Sequence, residues 1–177
     1  MNGKLIRSVN VKFFLYIDNY MNNNIIKCIE TTKIKNPMIL SKVIYNNFIY
    51  LNQYPELQHN INSITQSLNA EESYCYLLYH ENKLIGYLIG DFRTLPDNRY
   101  GYYISYVYIS EDYRNKKLGT KLMDKLINKC KEKGVKFIVL TCDIRDRKVV
   151  NFYKKYGFNK DQNLPGNNPH IIFSLNL

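Results

Sequence analysis

The chain has 177 residues, of which 45% are hydrophobic and 23% charged, and it carries a net charge of +10. This length suits one domain with a real core, and no apolar run approaches the ~20 residues that cross a bilayer, so no membrane-spanning helix is expected. The apolar stretch 13–17, between Lys12 and Asp18, is too short for a signal-peptide core and has no cleavage site of small residues, which predicts a soluble, cytoplasmic protein.

Cys28, Cys75, Cys130 and Cys142 form no C-x-x-C pair, and each falls in or beside an apolar pattern. They are expected to be buried free thiols. His59, His80 and His170 are scattered without zinc-ligand spacing, so no metal is expected. Residues 114–160 hold 15 basic and 4 acidic residues, a net of +11, while the rest of the chain is close to neutral. Such a block attracts polyanions, either nucleic acid or a phosphate-rich cofactor. A solvated lysine-rich helix face has the same composition.

Taken in chain order, the run Asn22-Asn23-Asn24 predicts a boundary between an N-terminal extension, residues 1–22, and one domain, residues 23–177. Residues 9–16 of the extension have the pattern of an extra strand. A short strand-like run covers 25–31. Residues 37–51 have helical spacing, with Leu40, Ile44, Phe48 and Leu51 on one face and Pro37 suited to the first turn. A second, weaker helix is predicted over 60–68. Strands follow at 74–80 and 84–93, joined by the turn Glu81-Asn82-Lys83, and at 100–109 after the turn Pro96-Asp97-Asn98. These three read as an antiparallel meander.

The clearest helix comes next. Leu118, Leu122, Leu126 and Cys130, widened by Met123 and Ile127, make its apolar stripe, and Gly134 ends it. Residues 135–141, apolar apart from Lys136, predict a buried strand. Asp146 is placed to cap a helix over 147–156 that Gly157 ends, 163–169 reads as a loop, and 170–175 as a last strand. A strand, a helix and a strand between 100 and 141 imply a parallel pairing with a right-handed crossover. The predicted class is α+β, with a mixed, mostly antiparallel sheet and about four helices.

Between the strand at 100–109 and the helix that begins near Lys117, unpaired backbone N–H groups meet the positive end of the helix dipole. That is a site suited to a phosphate. Gly119 leaves room for close approach, and Arg114, Lys116 and Lys117 add positive charge.

The stretch Tyr113-Arg114-Asn115-Lys116-Lys117-Leu118-Gly119 resembles the acetyl-CoA signature of the GNAT superfamily of N-acetyltransferases, Arg/Gln-x-x-Gly-x-Gly/Ala. Asn151-Phe152-Tyr153-Lys154-Lys155-Tyr156-Gly157-Phe158 resembles the F-Y-x-K-x-G-F ending of that family's following helix. Three departures stand out: Lys117 replaces the family's first Gly, Asp146 its Asn, and Val149 its Ala.

The resemblance implies the GNAT fold, with parallel strands splayed at the site, and acetyl-CoA as cosubstrate. Main-chain groups of Val107, Tyr108 and Ile109 would hold the acetyl carbonyl and pantetheine arm. Amides of Asn115, Lys116, Lys117, Leu118, Gly119 and Thr120 would bind the pyrophosphate, with Arg114 holding the loop and Lys148 near the 3′-phosphate. Asp146 would stand at the cofactor side, and Tyr153 would protonate the departing thiolate. Tyr103, acting through water, is the first candidate for the base, with Glu111, Asp91 and Tyr106 as others.

The acceptor implied is a small-molecule or peptide amine: a protein N-terminus or lysine, an amino sugar phosphate, or a polyamine. The polyamine would need an acidic pocket drawn from Glu71, Glu72, Asp91 and Asp97. A monomer or homodimer is expected. Lys117 and Asp146 leave a non-catalytic module of the same fold as the alternative, and binding of nucleic acid as a more remote one.

Overall fold

The computed structural model describes residues 12–17, 25–164 and 166–177; the expected boundary at residues 22–24 and the remainder of the 1–22 extension lie outside the described residues. The elements in chain order are β1 (Lys12–Ile17), β2 (Ile25–Thr31), α1 (Pro37–Asn47), α2 (Ile61–Leu68), β3 (Ser73–His80), β4 (Lys83–Thr94), β5 (Tyr100–Ile109), α3 (Leu118–Glu132), β6 (Phe137–Asp143), α4 (Arg147–Lys155), β7 (Asn159–Lys160), β8 (Gly166–Asn167) and β9 (His170–Asn176). Among the described residues the strands form one sheet in the order β1-β2-β3-β4-β5-β6-β9-β7, with β8 also on β9. The pairing of β5 with β6 is parallel and every other pairing is antiparallel.

Helices cover both faces. On one, the α3 stripe of Leu118, Leu122, Met123, Leu126 and Cys130 packs with Tyr153 of α4 against Tyr102, Ile104 and Ile138 of the sheet. Its predicted four-residue repeat is the buried face, and Gly134, at φ +69°, takes the left-handed conformation that stops it. On the other face, Leu40 and Ile44 of α1 and Ile64 and Leu68 of α2 pack on Cys75, Tyr87 and Ile89.

The expected helix over 37–51 is shorter than its apolar spacing suggests. α1 ends at Asn47, and a 3-10 segment at Ile49–Gln53 and another at Pro55–Leu57 carry the chain on. Asn46 and Asn47 are poor helix formers, and Asn47 Nδ2 donates to the Tyr87 hydroxyl at 3.1 Å, which ties the helix end to the sheet. The α2 start is firmer, since Asn60 caps it by accepting from Ser63 N–H at 2.9 Å. Within the expected loop 163–169, the two-residue strand β8 pairs with β9.

One irregularity positions the site. Ile89 of β4 faces Tyr106, but the next residue, Gly90, faces Ile104, so Ser105 is an extra residue in β5. A bulge of this kind bends the strand and raises its twist. It also inverts the side-chain alternation. Tyr102 and Ile104 share the α3/α4 face with Val107 and Ile109, whereas Tyr106 and Tyr108 turn to the α1/α2 face. Pairing between β5 and β6 ends at Ile104 and Leu140, after three residue pairs, and the strands part beyond.

Gly90 is what lets the chains meet at the bulge. A Cβ there would lie 2.2 Å from the Tyr103 carbonyl oxygen and 2.7 Å from the Tyr102 ring. Gly90→Ala is expected to destabilise the fold by about 1–3 kcal/mol through overpacking, read from the midpoint of urea unfolding at unchanged slope.

Candidate active site

A cavity of about 670 Å³ opens where β5 and β6 part. Its floor is made by Tyr103, Ile104, Tyr106 and Val107 of β5 and by Leu140, Thr141 and Cys142 of β6. Asp146, Lys148 and Tyr153, at and along α4, close one side. Phe48, Tyr50, Leu57 and His59, from the end of α1 and the connection to α2, close the other. Beyond Ile104 the edge of β5 that faces β6 has no strand partner among the described residues, so its main-chain groups are available to an extended ligand.

Of the residues expected to act, Tyr103, Val107, Asp146 and Tyr153 therefore line one cavity, as does Lys148. The Tyr108 side chain is turned away, stacked on Tyr87 at 5.5 Å, and Ile109 packs into the α3 core, so only their main chain faces the opening. Asp91 is held by Arg93 and Glu111 by Arg114, and neither lines the cavity. Glu72 bonds Tyr100 and Asp97 bonds Arg99, so the four acids that a polyamine pocket would need do not gather there.

The connection from β5 to α3 forms a separate cradle. Asn115 and Lys117 have φ of +62° and +58°, and Lys117 stands at the N-cap of α3 without a side-chain cap. The first bond of the helix runs from Lys121 N–H to Lys117 C=O at 3.0 Å, so the amides of Leu118, Gly119 and Thr120 precede the helical ladder. Arg114 Nε donates to the Ile109 carbonyl at 3.0 Å and fixes the turn to the end of β5. Successive free amides, a helix N-terminus and the charges of Lys116 and Lys117 are the donor set that a pyrophosphate requires. Gly119 faces Phe152 of α4, whose ring lies 3.7 Å from where a Cβ would stand.

On the opposite side, Asp146 caps α4, accepting from the Lys148 and Val149 amides at 3.1 Å each. Tyr153 sits one side of the opening with its ring edge-on to Phe152 and Phe158. Burial, with a smaller effect of Cys142, pushes its phenol well above the ordinary range, so it is protonated at neutral pH. Burial likewise pushes the Cys142 thiol up to about 11, helped by Asp143 and Asp146, so it is a thiol and not a thiolate. The Tyr103 hydroxyl shares a hydrogen bond of 2.8 Å with Thr141 Oγ1 across the parting strands, and the Arg93 guanidinium lies over its ring.

Two histidines that the sequence left unassigned face this cavity. His170 lies at its rear, both ring nitrogens buried without a hydrogen-bond partner among the described residues, 3.9 Å from carboxylate oxygens of Glu56 and Asp143. His59 stands between Tyr45 and Tyr106. No local pattern marks either: His59 directly precedes the α2 cap, and its partner Tyr106 is 47 residues away.

A parted parallel pair beside an uncapped helix start is the arrangement that the two sequence motifs implied, and it defines the fold as that of an N-acetyltransferase domain. The sequence profile of the acetyltransferase (GNAT) family matches residues 44–158, and the chain belongs to that family. A protein of Amsacta moorei entomopoxvirus named "Putative glycylpeptide N-tetradecanoyltransferase" is 25% identical over 139 residues, which cover 74% of this chain and 46% of that protein. The chain thus spans about half the length of this curated relative. A GNAT-family acetyltransferase from Listeria monocytogenes 4b F2365 superimposes with a TM-score of 0.64 at 15% identity, covering 85% of this chain and 95% of its own. Arabidopsis thaliana Naa50, in complex with the bisubstrate analogue CoA-Ac-MVNAL, gives 0.62 at 18% identity, covering 86% and 99%. At these identities the likeness to the solved structures is one of fold.

Lys117 occupies a left-handed conformation that costs a side-chain-bearing residue about 1–2 kcal/mol. Glycine removes that cost and returns part of it as unfolded-state entropy. Lys117→Gly is therefore expected to raise stability by about 0.5–1 kcal/mol without ligand, measured by thermal unfolding.

Proposed function

We propose that this chain is an N-acetyltransferase that moves the acetyl group of acetyl-CoA to a primary amine by direct attack in a ternary complex. The observation that carries the reading is the cavity at the parted strands, with the free amides of the α3 start at the end of the connection that leaves β5. A thioester with a long polar arm and a pyrophosphate suits both features: an extended ligand on the open edge of Val107, Tyr108 and Ile109, and an anion on the amides of residues 115–120. Lys117 keeps the left-handed turn that its position requires, and its ammonium adds charge at the anion pole.

The reaction needs an amine freed of its proton, a carbonyl held for attack, and an acid for the leaving thiolate. Tyr153 serves as the acid, a role supported by its position on the cavity and by burial that keeps its phenol protonated. Tyr103 and Thr141 line the floor and offer hydroxyls to orient the amine. Cys142, held as a thiol, is not used as a nucleophile, in keeping with direct attack.

The acceptor is a peptide or small-molecule amine. The analogue in the Naa50 complex and the glycylpeptide in the viral relative's name support a peptide amino terminus. Phe48, Tyr50 and Leu57 give the acceptor side of the cavity an apolar wall that suits a side chain next to that amine.

Ligand-induced stabilisation tests the cofactor and the acid together. Acetyl-CoA at 100 times its Kd is expected to stabilise the protein by about 2.7 kcal/mol. Gly119→Asp adds a carboxylate at the helix start, which favours the ligand-free helix but repels pyrophosphate, so its melting temperature rises slightly while the acetyl-CoA shift disappears. Tyr153→Phe keeps the shift and loses about 100-fold or more in turnover. No shift in the wild type would refute the acetyl-CoA reading, leaving the non-catalytic and nucleic-acid readings.

A further inference from the structure

We propose that Tyr106 takes the proton from the attacking amine and hands its own to His59, a relay that rests on the acetyl-transfer reading above. Two contacts of the His59 ring set the direction of the relay. His59 Nε2 lies 3.3 Å from the Tyr45 carbonyl oxygen, and a carbonyl can only accept, so Nε2 carries the hydrogen. Nδ1 is then the bare nitrogen, and it lies 3.2 Å from the Tyr106 hydroxyl, which must donate to it. Tyr106 and His59 both line the cavity, and His59 is only 7% exposed. The Tyr106 phenol is thus bonded to the His59 imidazole at the cavity wall.

The surroundings suit the charge that the relay creates. The imidazole stacks on Tyr45, centroids 5.4 Å apart and planes within 6°, and meets Phe48 edge-on at 6.5 Å. An imidazolium at this place faces an aromatic surface and keeps both N–H groups bonded, to the Tyr45 carbonyl and the Tyr106 oxygen. The groups packed on it are Tyr45 of α1, Phe48 just after that helix and Tyr106 of β5; among the described residues no carboxylate or cationic side chain is bonded to it. Burial pushes the Tyr106 phenol up to about 12, so it passes a proton on and does not rest as phenolate. Tyr103, by contrast, is bonded to the Thr141 hydroxyl, with the Arg93 guanidinium over its ring.

The amine nitrogen bonds to the thioester carbon and gives one proton to the Tyr106 oxygen, as the Tyr106 proton moves to His59 Nδ1. The carbon–sulfur bond breaks with its pair on sulfur, which takes the Tyr153 proton. Amide and CoA thiol result; His59 then loses its extra proton to water, and Tyr153 regains one. Tyr106 is the catalytic group here and His59 acts through it. The bulge at Ser105 is essential, because with regular alternation Tyr106 would face α3 and not His59.

The test has two arms. Nitrogen-15 imidazole spectra of the whole chain are expected to show His59 protonated at Nε2 with a hydrogen-bonded Nδ1, and Tyr106→Phe is expected to remove that bond's signature. A Nδ1-protonated ring, or a spectrum unmoved by Tyr106→Phe, would overturn the proposal. In the second arm, acetylation is followed against pH with a Met-Val-Asn-Ala-Leu peptide, a lysine peptide, glucosamine 6-phosphate and spermidine. His59→Phe, which preserves the stack, and Tyr106→Phe are each expected to lower kcat by about 100-fold at unchanged acetyl-CoA shift and to abolish the rising limb of the profile. The double variant is expected to lose no more than either alone, and Tyr103→Phe only a few-fold. Retention of wild-type kcat and pH profile by His59→Phe would overturn the proposal. If the wild type acetylates none of the four, the transfer reading fails, and the imidazole spectrum alone decides the pair.

Discussion

Ser105 has no partner residue on β4, so β5 must bend and twist where it passes. The consequence is that β5 and β6 share three residue pairs and then separate, although both strands continue. A closed sheet would bury this edge in hydrogen bonds and leave no cavity. The parted sheet exposes main-chain groups of β5, opens space for a ligand, and turns Tyr106 to the face where His59 lies. Gly90 permits the bend, because the Tyr103 carbonyl and the Tyr102 ring occupy the space of a Cβ. The cavity, the open edge and the aromatic wall are thus results of one backbone irregularity.

The second constraint is electrostatic. α3 begins with no side-chain cap and with a lysine in a left-handed conformation. A helix that omits an Asp or Ser cap forgoes about 1 kcal/mol. α2 and α4 have side-chain caps in Asn60 and Asp146, whereas α1, which has Pro37 in its first turn, starts without one as α3 does. Free amides and local strain of this kind are what a ligand-binding helix start shows, with the ligand supplying the missing acceptors. The net of +11 in residues 114–160 follows from the same segment, which contains the α3 start and α4.

Much of the fold was legible in the sequence because its signals are local. The four-residue repeat of α3, Gly134 and Gly157 as stops, Asp146 as a cap and the turn at 96–98 each act through near neighbours. The two motifs were legible because they mark backbone geometry at a helix start and a helix end. Features that depend on contacts distant in sequence were not. The end of α1 at Asn47 is set by a bond to Tyr87, 40 residues on. His59 meets Tyr106 across 47 residues of sequence, and Tyr106 faces it only because of a bulge that no residue type in β5 announces. Strands β7 and β8 have two residues each, too few for an alternation to show. His170 and its two carboxylate neighbours come from three segments and share no pattern.

The proposed activity requires one ligand to join the open edge of β5 to the start of α3. Amide hydrogen exchange with and without acetyl-CoA measures both at once. The predicted result is slowed exchange at residues 105–109 and 115–120 together, with little change at α2. Protection confined to other segments, or to the α3 start with the β5 edge unchanged, would contradict it.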